Sequence, residues 1–177
     1  MFLLGFFIFS CGEESVPKPK GMLRLEYPKA VYKETENDCP FSFLQNQDAA
    51  INVRKDCGMT LQYPKMNASI FITYKPVQDN LDILLRDAQK LTYEHVAKAD
   101  NIQEQPFVNP EDKVYGMFYQ VTGNAASASQ FYLTDSISHF VTGSLYFNTK
   151  PNYDSVLPAA KYLEEDIRKI METMSWE

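Results

Sequence analysis

The sequence is poor in positive charge, in histidine and in long apolar runs, and each shortage closes a class of function. Seventeen Lys and Arg stand against 23 Asp and Glu, so the net charge is −6 (17 − 23). No basic cluster interrupts this balance. Nucleic acid is therefore an unsuitable partner, and so are anionic lipid headgroups bound through a basic face. No long apolar stretch follows Phe9, so any membrane anchor would be lipid alone. Phosphate-binding glycine loops, HExxH helices, CxxC pairs and the GxSxG elbow are all missing, and with them the common signatures of nucleotide, zinc and hydrolase chemistry. Only two histidines occur. His95 lies on the apolar face of a helical pattern, where a single histidine is a core residue and not a ligand. Asp135, Ser136 and His139 have the residue types of a catalytic triad, but crowded into five positions they read as a polar turn. The chain is expected to be no enzyme and to need no metal or cofactor.

The apolar run that does exist is Met1 to Phe9, ending at Ser10-Cys11-Gly12. About 7–15 apolar residues before a small residue form the core and cleavage site of a secretory signal. A membrane-spanning helix would need about 20. Ile8-Phe9-Ser10-Cys11 has the pattern of a bacterial lipobox, which predicts a signal peptide over 1–10 and acyl chains, palmitate among them, on Cys11. Two or more such chains hold a protein on a membrane where one does not. No Lys or Arg stands among the nine residues after Met1, so the true start is expected further upstream. The competing reading is a buried N-terminal strand with an ordinary thiol. Residues 11–21 carry Pro17 and Pro19 and form an extended tether. Cys39 and Cys57 remain. In an exported protein such a pair reads as a disulfide, worth about 3 kcal/mol for a loop of this size.

The remainder, 22–177, has the length of one domain, and 45% apolar residues suffice for a covered core. Alternation predicts strands at 23–27, 41–43, 59–63 and 68–74, with a short one at 51–53. Leu81, Leu84, Leu85, Ala88, Leu91, His95, Val96 and Ala99 fall on one face of a helix over 81–99, capped by Asp79 or Asn80. Pro106 and Pro110 are expected in a loop. Strands at 114–121, 129–134 and 139–147 follow with short connections, hence antiparallel. A second helix over 155–174 has Pro158 in its first turn. Its pairs Glu164/Arg168 and Glu165/Lys169 are expected on solvated faces. The fold class is α+β, a largely antiparallel sheet with two main helices packed on it; the order is similar to PsbP-like or Mog1-like sandwiches.

One stretch is unusual. Gly123, Asn124, Ala125, Ala126 and Ser127 place small residues between aromatic-rich strands, leaving room for a ligand or another backbone. Tyr115, Phe118, Tyr119, Phe131, Tyr132, Tyr146 and Phe147 are expected either to wall a groove there or to be plain core.

Several motifs carry a resemblance. Val16-Pro17-Lys18-Pro19-Lys20-Gly21 behind Cys11, Leu23-Arg24-Leu25-Glu26-Tyr27-Pro28, Asp38-Cys39-Pro40-Phe41-Ser42-Phe43 and Tyr63-Pro64-Lys65-Met66 are four. Thr73-Tyr74-Lys75-Pro76, Lys90-Leu91-Thr92-Tyr93-Glu94-His95, Gly123-Asn124-Ala125-Ala126-Ser127 and Lys150-Pro151-Asn152-Tyr153-Asp154-Ser155 are four more. Together they resemble the gliding-motility lipoprotein GldD family of Bacteroidetes over essentially the whole mature chain. The resemblance implies a lipid-anchored envelope protein on the outer membrane, facing the periplasm. It also implies partners among the gliding and type IX secretion proteins, which the chain would stabilise or assemble. It carries over the acylated Cys11 and no catalytic motif. It further implies O-glycosylation at Asp-Ser-apolar motifs, of which Ser136 and Ser155 are the candidates. The alternative function is a periplasmic small-ligand or cell-wall-binding module.

Overall fold

A computed structural model describes residues 25–94, 98–150 and 152–177. The signal segment, Cys11, the tether and His95 lie outside the described residues. The centre of the fold is a seven-stranded antiparallel sheet. Its strands are β4 (Ala50–Val53), β5 (Met59–Tyr63), β6 (Ala68–Pro76), β7 (Ala99–Asn109), β8 (Val114–Gly123), β9 (Ser127–Thr134) and β10 (His139–Phe147). The spatial order is β4-β5-β6-β10-β9-β8-β7. Each hairpin pairs neighbours in sequence, and β10 closes the sheet by pairing with β6 from His139↔Pro76 to Phe147↔Ala68. Two short pairs flank it: β1 (Tyr32–Glu34) with β3 (Leu44–Asn46), and β2 (Phe41–Ser42) with β11 (Ser175–Trp176).

Helix α2 (Tyr153–Glu172) covers one face. Its stripe of Leu163, Ile167, Ile170 and Met171 is buried with Met59, Leu61, Ile70, Ile72, Leu133 and Leu145. Gly143 makes room here, because a Cβ would stand 2.1 Å from the Phe131 ring. Helix α1 (Leu81–Tyr93) lies on the other face, where Leu84 and Ala88 meet Phe140. The α+β class with two helices on an antiparallel sheet is therefore what the alternation and helical periods describe.

Three local expectations are corrected. Leu25–Tyr27 is irregular and the first strand begins at Tyr32; Tyr27 instead sets its ring 5.1 Å from that of Tyr162 on α2. The first helix ends at Tyr93, and 99–109 is an eleven-residue strand, Pro106 included. Proline is tolerated because, among the described residues, β7 pairs only with β8, so its outer side needs no donor. Helix α2 starts at Tyr153 with Asn152 as its N-cap, which leaves Pro158 in the second turn.

Candidate functional site

The small-residue stretch is engaged within the chain. Gly123 ends β8 with φ +97°, a backbone that glycine alone adopts freely, and a Cβ there would stand 2.6 Å from the Asp100 nitrogen. Asn124 Oδ1 accepts the backbone N–H of Tyr153 at 3.0 Å. The N-cap residue Asn152 makes no such side-chain bond, so an orphan donor at the start of α2 is satisfied from another element. Ala125, Ala126 and Ala128 line a narrow notch with Phe147, Val156 and Ala160. Ser127 is fully buried, its hydroxyl donating to the Leu145 carbonyl at 3.1 Å. The stretch is small because a helix terminus packs against it.

The aromatic residues do not wall one groove. Strand alternation divides them between the faces. Phe118, Phe131 and Phe147 belong to the cluster under α2. Tyr119 and Tyr132 stand on the α1 face with ring centroids 6.4 Å apart, and Tyr132 stacks on Phe140 at 5.7 Å.

The polar turn is a turn. Asp135 Oδ1 accepts the backbone N–H groups of Ile137, Ser138 and His139 at 2.8–2.9 Å. Burial raises this carboxyl, but the three donors outweigh it and hold its pKa below the ordinary value. His139 Nδ1 is 3.1 Å from the Tyr74 hydroxyl, and its ring stacks on Trp176 at 5.3 Å. The Asp135 and His139 side chains are thus committed to the turn and to an aromatic stack. Ser136 is exposed at the tip with φ +69°. Ser155 is also exposed, but its hydroxyl donates to the Asn152 carbonyl at 2.9 Å.

Cys39 and Cys57 are joined, with Cα atoms 5.6 Å apart. The bond ties the segment before β2 to the β4–β5 turn, where Asp56 Oδ1 accepts from the Gly58 N–H and Arg54 Nε.

Sequence reasoning missed two buried carboxylates on α2. Glu164 and Asp166 are 8% and 1% exposed. Glu164 accepts from Gln120 Nε2 at 2.7 Å and the Ser129 hydroxyl at 3.1 Å. Asp166 accepts from the Tyr32 hydroxyl at 2.7 Å and Asn46 Nδ2 at 2.9 Å, so it pins β1 and β3 to the helix. Burial raises both carboxyls despite these donors. The ion pairs on the outer faces are Arg168–Glu165 and Lys169–Glu172, each 3.9 Å; Glu164 is not on a solvated face. The signal was present: Asp166 lies three residues after Leu163 and four before Ile170, inside the apolar stripe. For Glu164, the four-residue spacing to Arg168 pointed instead to a solvated ion pair.

Residues 12–176 match the protein family described as gliding motility lipoprotein GldD. The chain belongs to this family. No curated protein matches it. Membership gives the chain an accessory role in gliding motility and the membrane association of a lipoprotein. Among the described residues no helix is long and apolar enough to cross a membrane, and no group of His, Cys, Asp and Glu is placed to hold a metal.

Proposed function

We propose that the protein is a non-enzymatic, lipid-anchored accessory component of the gliding and type IX secretion machinery, stabilising or assembling partner envelope proteins. The observation that carries this is the family match across 12–176. In this reading residues 1–10 are a signal peptide, acylated Cys11 is residue one of the mature protein, 11–21 is a tether, and 22–177 is one globular domain. The anchor sits in the outer membrane with the domain in the periplasm. The engagement of Asp135 and His139 in turn and stack supports a role without catalysis.

Anchoring and partner binding separate experimentally. Cys11→Ala should move the protein from the membrane to the soluble fraction and abolish gliding; membrane retention with normal gliding rejects the anchor. Deletion of the whole chain should stop gliding, and a deletion strain that glides rejects the accessory role. Ser136 is the preferred O-glycan acceptor, because its turn presents it to solvent while Ser155 is tied to Asn152. Loss of a glycan mass in Ser155→Ala, with none lost in Ser136→Ala, would reverse that preference.

A further inference from the structure

We propose that the outer edge of β7, with a cavity at its foot, docks an extended segment of a partner protein. That segment would set one apolar side chain in the cavity and a neighbouring carboxylate on Arg168. This rests on the reading that the chain works through protein partners.

β7 is the last strand of the sheet, and among the described residues only β8 pairs with it. An unpaired edge offers main-chain donors and acceptors to another extended chain. Pro106 interrupts the backbone donors along β7, and a proline on an edge discourages indiscriminate strand addition. Selectivity must then come from side chains, and the cavity supplies it. Its volume is about 90 Å³. Small-molecule sites run to about 300–1,000 Å³, so this one suits a single side chain.

The apolar lining is Phe107, Phe118 and Met171, with Gln105, Arg168 and Glu172 at its polar side. Arg168 stands over the Phe118 ring, 4.6 Å from its centroid, and Nη2 donates to Gln105 Oε1 at 2.7 Å. A guanidinium has five N–H donors, and this contact uses one. Held between ring and amide, the cation is preorganised and loses little freedom on binding an acid. Its ion partner Glu165 is 3.9 Å away and 75% exposed, a weak contact that an incoming carboxylate can displace. Glu172 is itself paired with Lys169. An apolar pocket walled by a fixed cation fits a segment in which an acidic residue adjoins Leu, Met or Phe. Val108, 66% exposed, points to the opposite face of the same strand, where it would meet the alternate side chains of a segment paired along this edge.

The test uses the full chain in detergent and a displayed library of random seven-residue peptides. Selected peptides should share Asp or Glu beside Leu, Met or Phe. Arg168→Glu should weaken them by about tenfold or more, the worth of a charged hydrogen bond. Gln105→Trp, which fills the cavity from its rim and keeps the cation, should weaken them too. Thermal melts check that both variants fold. Selection without an acid–apolar pair, or binding by both folded variants as tight as that of the unmodified chain, overturns the proposal. In cells, a benzoylphenylalanine crosslinker at Val108 should capture an envelope protein through such a segment, and Arg168→Glu should abolish the crosslink; a crosslink only between two copies of this chain overturns the assignment. An Arg168→Glu strain that still glides removes this docking site and leaves the accessory role standing, whereas a gliding deletion strain removes the role itself.

Discussion

The two faces of the central sheet are built differently. Under α2 the packing is deep: Phe41, Phe43, Leu61, Ile70, Leu163 and Ile167 are 0–1% exposed. The N-terminal strands, the C-terminal strand, the disulfide and both buried carboxylates belong to that side. Under α1 the buried cluster is Leu84, Ala88 and Phe140, with partly buried residues around it. Ile83, Leu91 and Tyr93 on α1 remain 40–55% exposed, and Tyr93 reaches out to donate to Glu104 on β7. Both helices are amphipathic, yet among the described residues only α2 is enclosed by chain on several sides. Stability is therefore concentrated on one face and surface on the other.

Paired truncations probe that contrast most strongly. Leu163→Ala should cost about 4 kcal/mol, because the closed face cannot collapse around the cavity, while Leu84→Ala should cost about 2. Urea unfolding measures both, and equal losses would erase the distinction. Replacing Cys39 and Cys57 by alanine should cost about 3 kcal/mol in the same assay. A loss close to zero would mean that the α2 face holds its N-terminal segment without the covalent tie. Asn124→Ala should cost about 1 kcal/mol through the lost helix-terminal bond, and amide exchange should rise at the first turn of α2 and not in α1.

The subtlest probe is pH. Glu164 and Asp166 have folded-state pKa values raised above the ordinary 4.5 and 3.8. The folded state then binds the proton more tightly than the unfolded chain. Their favourable contribution is complete below those ordinary values and is lost as pH rises through the raised ones. Asp135 works in the opposite sense, stabilising above its ordinary value and losing that contribution as pH falls through its lowered one. Glu164→Gln should flatten the decline in urea midpoint as pH rises above the ordinary 4.5, and should cost least where the carboxylate of the unmodified chain is ionised. A slope identical to that of the unmodified chain would show that burial of this carboxylate carries no energetic weight.

Much of the fold was legible because the β-meander and helix α2 advertise themselves locally. Val114–Gly123, Ser127–Thr134 and His139–Phe147 alternate and are joined by short turns, so antiparallel pairing follows from chain connectivity. The strand at Ala99–Asn109 was not legible. Its two ends adjoin a helical period and a proline, and Pro106 is acceptable because, among the described residues, no strand pairs with the outer side of β7. The small residues at 123–127 stood out in sequence as room for a ligand or another backbone, but nothing local says that the backbone at the start of α2 returns to them from about 30 residues away.

The sequence by itself determined the α+β class, the apolar stripe of each helix, the family and the exclusion of familiar catalytic motifs, because periodicity and motifs are properties of neighbouring residues. Only the tertiary structure decided which carboxylates are buried, which strand has a free edge, which face is closed, and that Asn124 caps a distant helix. Each of those depends on which groups lose water together, and that is settled by elements meeting across the fold.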